Sequence, residues 1–147
     1  HNKKKLFGET TWSTYAEVET KANNVGAGLV ALGCVPSESR VLVFEDTSAE
    51  WSLTFQGCLT QDLTLATAYA TLGIESVEGI VKECDIKVVV CNYNSAQKVV
   101  DLTKNCPSLT HIIYTYHNVD VQVGANPVKE CPSNITCLSF DELIKKG

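Results

Sequence analysis

The chain has 147 residues, enough for one domain that buries roughly 70% of the surface its unfolded form would expose. Hydrophobic residues make up 44% and charged residues 20%, as in an ordinary soluble globular chain and unlike a disordered one. The net charge of -5 argues against the basic face that a nucleic-acid binder would carry, and the Lys3-Lys4-Lys5 cluster reads as a solvated terminus.

The first periodic segment is "STYAEVETKANNVGAGLVALG", in which Tyr15, Val18, Ala22, Val25, Leu29 and Leu32 fall on one helical stripe. Thr14 and Glu17 have the spacing of a capping box, and Gly33 is placed to end the helix, so a helix is expected from about 14 to 32. "RVLVF" (40 to 44) reads as a buried strand. Thr47 and Glu50 have the spacing of a second capping box, opening a helix with Trp51, Phe55, Cys58 and Leu59 on one face.

The strand, loop, helix unit then recurs. Strands are expected at 63 to 70, 87 to 91 and 110 to 116, with helices at 73 to 84 and 94 to 105. A polar, turn-rich loop spans 117 to 134, and "ITCLSF" with "DELIKKG" gives a last strand and a short helix. Strands alternating with helices predict an α/β, flavodoxin-like or Rossmann-like open sheet of about five mostly parallel strands flanked by helices.

Gly26, Gly28 and Ala31 match the G-x-G-x-x-G/A spacing of a dinucleotide loop, and an acidic pair, Glu45 and Asp46, follows about 20 residues later. A phosphate loop, however, needs its glycines between a strand end and a helix start, where backbone N–H groups are free. Here the preceding residues already belong to a helix. The glycines are therefore expected to let that helix pack close to a neighbour, although each costs about 1 kcal/mol in helix propensity.

Other chemistry is sparse. The histidines, His1, His111 and His117, have no metal-ligand spacing and there is no Cys-x-x-Cys pair. Cys131 and Cys137 are the nearest approach to a ligand pair, with two ordinary thiols as the plainer reading. Cys106 and His111 lack a nucleophile motif. Seven cysteines, an odd number set mostly in apolar segments, suit reduced thiols in an intracellular compartment. No signal peptide or membrane-length apolar run is evident, so the formal sequon "NIT" at 134 to 136 is read as chance. The absence of methionine and of any tail composition suggests a piece of a longer protein. The carboxyl ends of the first two strands, the edge at which open α/β sheets bind ligands, supply Asp46, Thr67, Tyr69 and Thr71 as candidate substrate-binding residues. The plainer alternative is that they do turn and cap work, with Tyr69 packing and Thr71 capping the next helix. No catalytic, cofactor-binding or metal-ligating residue is assigned.

"TYAEV", "TSAEW" and "TLATAYATLG", with the segments around them from Thr11 to Asn92, resemble the N-terminal part of the long-chain fatty acyl-CoA synthetases. That family belongs to the AMP-forming adenylating superfamily, which includes firefly luciferase; the likeness continues more weakly through "THIIYTY" and "LSFDELIKKG". The resemblance implies an ATP-dependent ligase in which a fatty carboxylate attacks the α-phosphate to give acyl-AMP and pyrophosphate, and the CoA thiol then displaces AMP. It implies ATP, Mg²⁺ and CoA for the full-length parent and none of them for this segment. The family's Ser/Thr/Gly-rich phosphate loop ending in Pro-Lys, its later Thr-Glu pair and its C-terminal lysine have no counterpart in this sequence. Where some relatives hold an arginine near CoA, this chain has "YATL" (69 to 72).

Residues 1 to 147 are therefore expected to form a single subdomain of the large AMP-binding domain, inactive alone and prone to self-association. A free-standing nucleotide-binding module and a non-catalytic interaction module stand as alternatives; a strand directly before Gly26 would favour the first.

Overall fold

The structure, a computed structural model, describes residues 10–117, 119–122 and 124–147. Five strands, β1 (Arg40–Glu45), β2 (Thr64–Tyr69), β3 (Val88–Asn92), β4 (His111–Thr115) and β5 (Thr136–Ser139), form one sheet in the order β2-β1-β3-β4-β5. Every pairing is parallel. This is the flavodoxin-like order of a doubly wound sheet.

Helices α1 (Tyr15–Ala31), α2 (Ala49–Thr60) and α5 (Phe140–Lys146) cover one face of the sheet, and α3 (Ile74–Glu83) and α4 (Ala96–Leu102) cover the other. Side chains alternate across a strand, so Leu42, Phe44, Val89, Cys91 and Ile112 pack toward α3 and α4, while Val41, Val43, Val88, Val90 and Ile113 pack toward α1, α2 and α5. Burial on both faces is why "RVLVF" and "KVVVC" read as unbroken apolar runs. A single 3₁₀ turn, Tyr93–Ser95, leads into α4. Among the described residues the connection from β4 to β5 holds no helix; the Gln97 side chain of α4 reaches it, accepting from the Lys129 amide at 2.7 Å and donating to the Glu130 carbonyl at 3.2 Å.

The expected capping box of α1 is present: Thr14 Oγ1 accepts from the Glu17 amide at 3.2 Å, and the Glu17 carboxylate accepts from the Thr14 amide at 2.7 Å. At the other end Gly33 takes φ +88°, with its amide on the Val30 carbonyl at 2.8 Å and that of Cys34 on Leu29 at 3.1 Å, the paired bonds of a Schellman end. α2 and α3 end in the same left-handed way on Asp62 (φ 52°) and Asp85 (φ 50°).

Gly26 and Gly28 do the packing work expected of them. A Cβ at Gly26 would sit 2.5 Å from the Gly57 carbonyl oxygen of α2, and one at Gly28 would strike the Leu143 carbonyl of α5. The helix runs unbroken through both glycines, and the residues directly before Gly26 are helical, so the strand at that place that would favour a dinucleotide loop is missing.

Three local expectations need correction. Tyr15, read as part of the helix's apolar stripe, is 96% exposed; burial in α1 begins two turns later, at Ala22, because the first turns stand off from α2 across an open cleft. The cap of α2 is Ser48, not Thr47: Ser48 Oγ accepts from the Trp51 amide at 3.0 Å and donates to Glu45 at 3.2 Å, which holds the hydroxyl on both sides. The buried face of α2 is Thr54, Gly57 and Cys58, while Phe55 and Leu59 are exposed. The close approach of α1 at Gly57 turns the helix so that its small residues face inward.

Candidate functional site

In an open parallel sheet the crevice for ligands lies where the strand order reverses, outside the carboxyl ends of the strands. Here that point lies between β1, whose following helix goes to one face, and β3, whose following helix goes to the other. A cleft of about 170 Å³ opens there, lined by Asp46, Ala70, Asn92, Asn94, Ser95, His117 and Val119. The Asp46 amide donates to Asn92 Oδ1 at 3.1 Å, and Asn92 Nδ2 donates to the Asp46 carboxylate at 3.4 Å, tying the two strand ends together.

Glu45, the last residue of β1, is buried at 4% exposure. One carboxylate oxygen accepts from Thr115 Oγ1 at 2.7 Å and from Ser48 Oγ at 3.2 Å, and the other has no hydrogen-bond partner among the described residues. Burial raises its pKa to about 7; the bonds from Thr115 and Ser48 oppose the rise, and the charges of Glu50 and Asp46 add to it.

Of the four candidate substrate-binding residues read from the sequence, only Asp46 is among the described residues lining the cleft. Thr67 pairs with Val43 within the edge strand β2 and is exposed. Tyr69 pairs with Glu45, but its side chain is 81% exposed, so it does not pack. Thr71 is exposed in the turn, and the cap of α3 is Gly73, with no side-chain bond, so Thr71 does not cap that helix. Asn92 lies just past the strand expected at 87 to 91, and Asn94 and Ser95 at the start of the helix expected at 94 to 105; only the strand order shows that they meet Asp46.

The groups that the family resemblance attaches to the parent do not fit this cleft. No lysine or arginine is among its described lining residues, and a triphosphate there would face Asp46, with Glu45 behind it, without a compensating cation among those residues. Among the described residues no cluster of three or more His, Cys, Asp or Glu side chains could hold a metal ion. Among the same residues no helix is long and apolar enough to cross a membrane.

The fold is that of a doubly wound α/β protein with a crevice at the carboxyl edge of its sheet. The sequence model of the AMP-binding enzymes matches residues 1–136, and the chain belongs to that family. It is similar to long chain acyl-CoA synthetase 8 of Arabidopsis thaliana, with 33% identity over 96% of this chain and 19% of that protein. It is likewise similar to long-chain-fatty-acid–CoA ligase 2 of Schizosaccharomyces pombe, with 30% identity over 96% of this chain and 20% of that protein. The chain thus spans about one fifth of the length of these curated relatives. The crystal structure of the anthranilate CoA ligase AuaEII in complex with anthranoyl-AMP shares the fold, with a TM-score of 0.70 and 23% identity over 90% of this chain and 22% of that one.

Proposed function

We propose that the chain is the N-terminal part of the large domain of an ATP-dependent long-chain fatty acid–CoA ligase, and that alone it builds one wall of that domain without catalysing. The observation that carries this reading is the 33% identity to a long chain acyl-CoA synthetase, sustained over 96% of the chain. In the parent, the fatty carboxylate attacks the α-phosphate of ATP to give acyl-AMP and pyrophosphate, and the CoA thiol then displaces AMP. Mg²⁺ supplies charge neutralisation in the first step. That no lysine or arginine is among the described residues lining the crevice beside Asp46 supports assigning ATP, Mg²⁺ and CoA to parts of the parent other than this one. Free and mostly buried thiols support an intracellular, reducing location.

An acyl-CoA formation assay on the 147-residue chain, supplied with ATP, Mg²⁺, CoA and a long-chain fatty acid, is expected to give no turnover. Measurable turnover would overturn the assignment of catalysis to other parts of the parent. The coding sequence beyond Gly147 is expected to contain a Ser/Thr/Gly-rich phosphate loop ending in Pro-Lys. A stop codon in its place would overturn the ligase reading in favour of an interaction module.

Separated from its parent, the chain should self-associate. The outer edge of β2 is unpaired among the described residues, and Phe55, Leu59 and Tyr69 on α2 and β2 are exposed. Size-exclusion chromatography with light scattering is expected to show a mass that rises with concentration; a monomer at every concentration would contradict this.

A further inference from the structure

Cys131 and Cys137 are six positions apart, and a turn brings them face to face. The Ile135 amide donates to the Pro132 carbonyl at 3.0 Å, reversing the chain, while the Thr136 amide anchors the start of β5 on the Thr110 carbonyl at 2.9 Å. The two sulfurs are 3.0 Å apart, about an ångström beyond the ~2.05 Å of a formed disulfide. Cys131 is exposed and lines an open groove of about 510 Å³ with Asp101, Lys104 and Lys129. Cys137 is half-buried against the core layer that also holds Val128 and Ile135. The thiols of Cys34, Cys58, Cys91 and Cys106 are buried.

We propose that Cys131 and Cys137 form a reversible dithiol–disulfide modification site whose oxidant is a hydroperoxide, a property that does not depend on the ligase reading. The Cys131 thiolate attacks one peroxide oxygen; the O–O bond breaks, the other oxygen leaves with the electron pair and takes up a proton, and Cys131 becomes a sulfenic acid. Cys137 sulfur then attacks Cys131 sulfur. The S–O bond breaks, and the departing oxygen leaves as water with the proton of Cys137. Two thiols are oxidised and one O–O bond is reduced, and a dithiol reductant reverses the change. Burial, aided by the contact with Cys131, pushes the Cys137 thiol up to about 12, so the exposed Cys131 meets the oxidant and Cys137 resolves it. The new bond would fasten the turn to β5 and hold Val128 and Ile135 on the core.

The test treats the 147-residue chain with hydrogen peroxide, blocks the remaining thiols and reads the tryptic peptide that follows Lys129, which contains both cysteines. That peptide is expected to lose the mass of two hydrogens, to regain it with dithiothreitol, and to react roughly ten-fold faster than the half-buried Cys84. In Cys137→Ser the reaction is expected to stop at a sulfenic acid on Cys131 that dimedone traps. Amides of residues 131–137 are expected to exchange more slowly in the oxidised chain than in the reduced one. Oxidation of Cys84 ahead of this pair, or a sulfinic acid on Cys131 of the unmutated chain without a disulfide, would overturn the proposal.

Discussion

Alanine at Gly26 is expected to destabilise the fold by about 1–3 kcal/mol, whereas alanine at Gly79 is expected to stabilise it by about 0.5–1 kcal/mol. Both glycines lie inside helices, so propensity alone favours alanine at each. At Gly79 nothing lies within 4 Å of the added carbon, and the propensity gain stands. At Gly26 the same carbon would come within 2.5 Å of the Gly57 carbonyl oxygen, 2.6 Å of Thr60 Oγ1 and 2.8 Å of Gln61 Cγ. A flexible side chain can move aside, but the backbone oxygen of α2 yields only if the two helices separate, and that loosens Val25, Leu29 and Cys58 together. Urea unfolding of the two variants beside the parent checks the pair. A neutral or stabilising Gly26→Ala would mean that the contact between α1 and α2 is looser than described.

Stability should also respond to Glu45. Its carboxyl is expected to ionise at about pH 7 in the folded chain and near 4.5 in the unfolded one. Between those values the folded state holds the proton more firmly, so stability falls as pH rises through this window, and the cost is complete above about pH 7. A shift of this size corresponds to about 3 kcal/mol. Glu45→Gln keeps an acceptor for Thr115 and Ser48 but carries no charge, and its amide group still lacks a partner where the orphan oxygen was. The variant is therefore expected to be more stable at pH 8 by about 1–2 kcal/mol and to lose the advantage by pH 5. Urea melts of both proteins at the two pH values supply the comparison. Parallel pH profiles would show that Glu45 does not titrate in this window.

Elements and strand type were legible because burial on both faces of a parallel sheet writes continuous apolar runs, and Thr14, Glu17 and Gly33 mark the ends of α1 by their own chemistry. What stayed hidden depends on neighbours distant in sequence. Phe55 and Leu59 are apolar yet exposed, since α2 is turned by its approach to Gly26. Asp62 and Asp85 end their helices in a conformation more typical of glycine, so no punctuation announced them. The crevice required the strand order: Asp46 and Asn92 are joined only because β3 lies beside β1. The apparent dinucleotide motif misled for the opposite reason, because a spacing of glycines is the same whether a phosphate or a helix must come close.

The contact of Gly28 with Leu143 joins the first helix to the last, over a hundred residues further along the chain. During synthesis α1 therefore emerges long before α5 exists to cover it. At about 5–20 residues per second the gap lasts on the order of ten seconds. Through that interval the Val25 and Leu29 side of the nascent helix lacks one of its two helical neighbours, and it is there that a chaperone or a premature partner would find a hold.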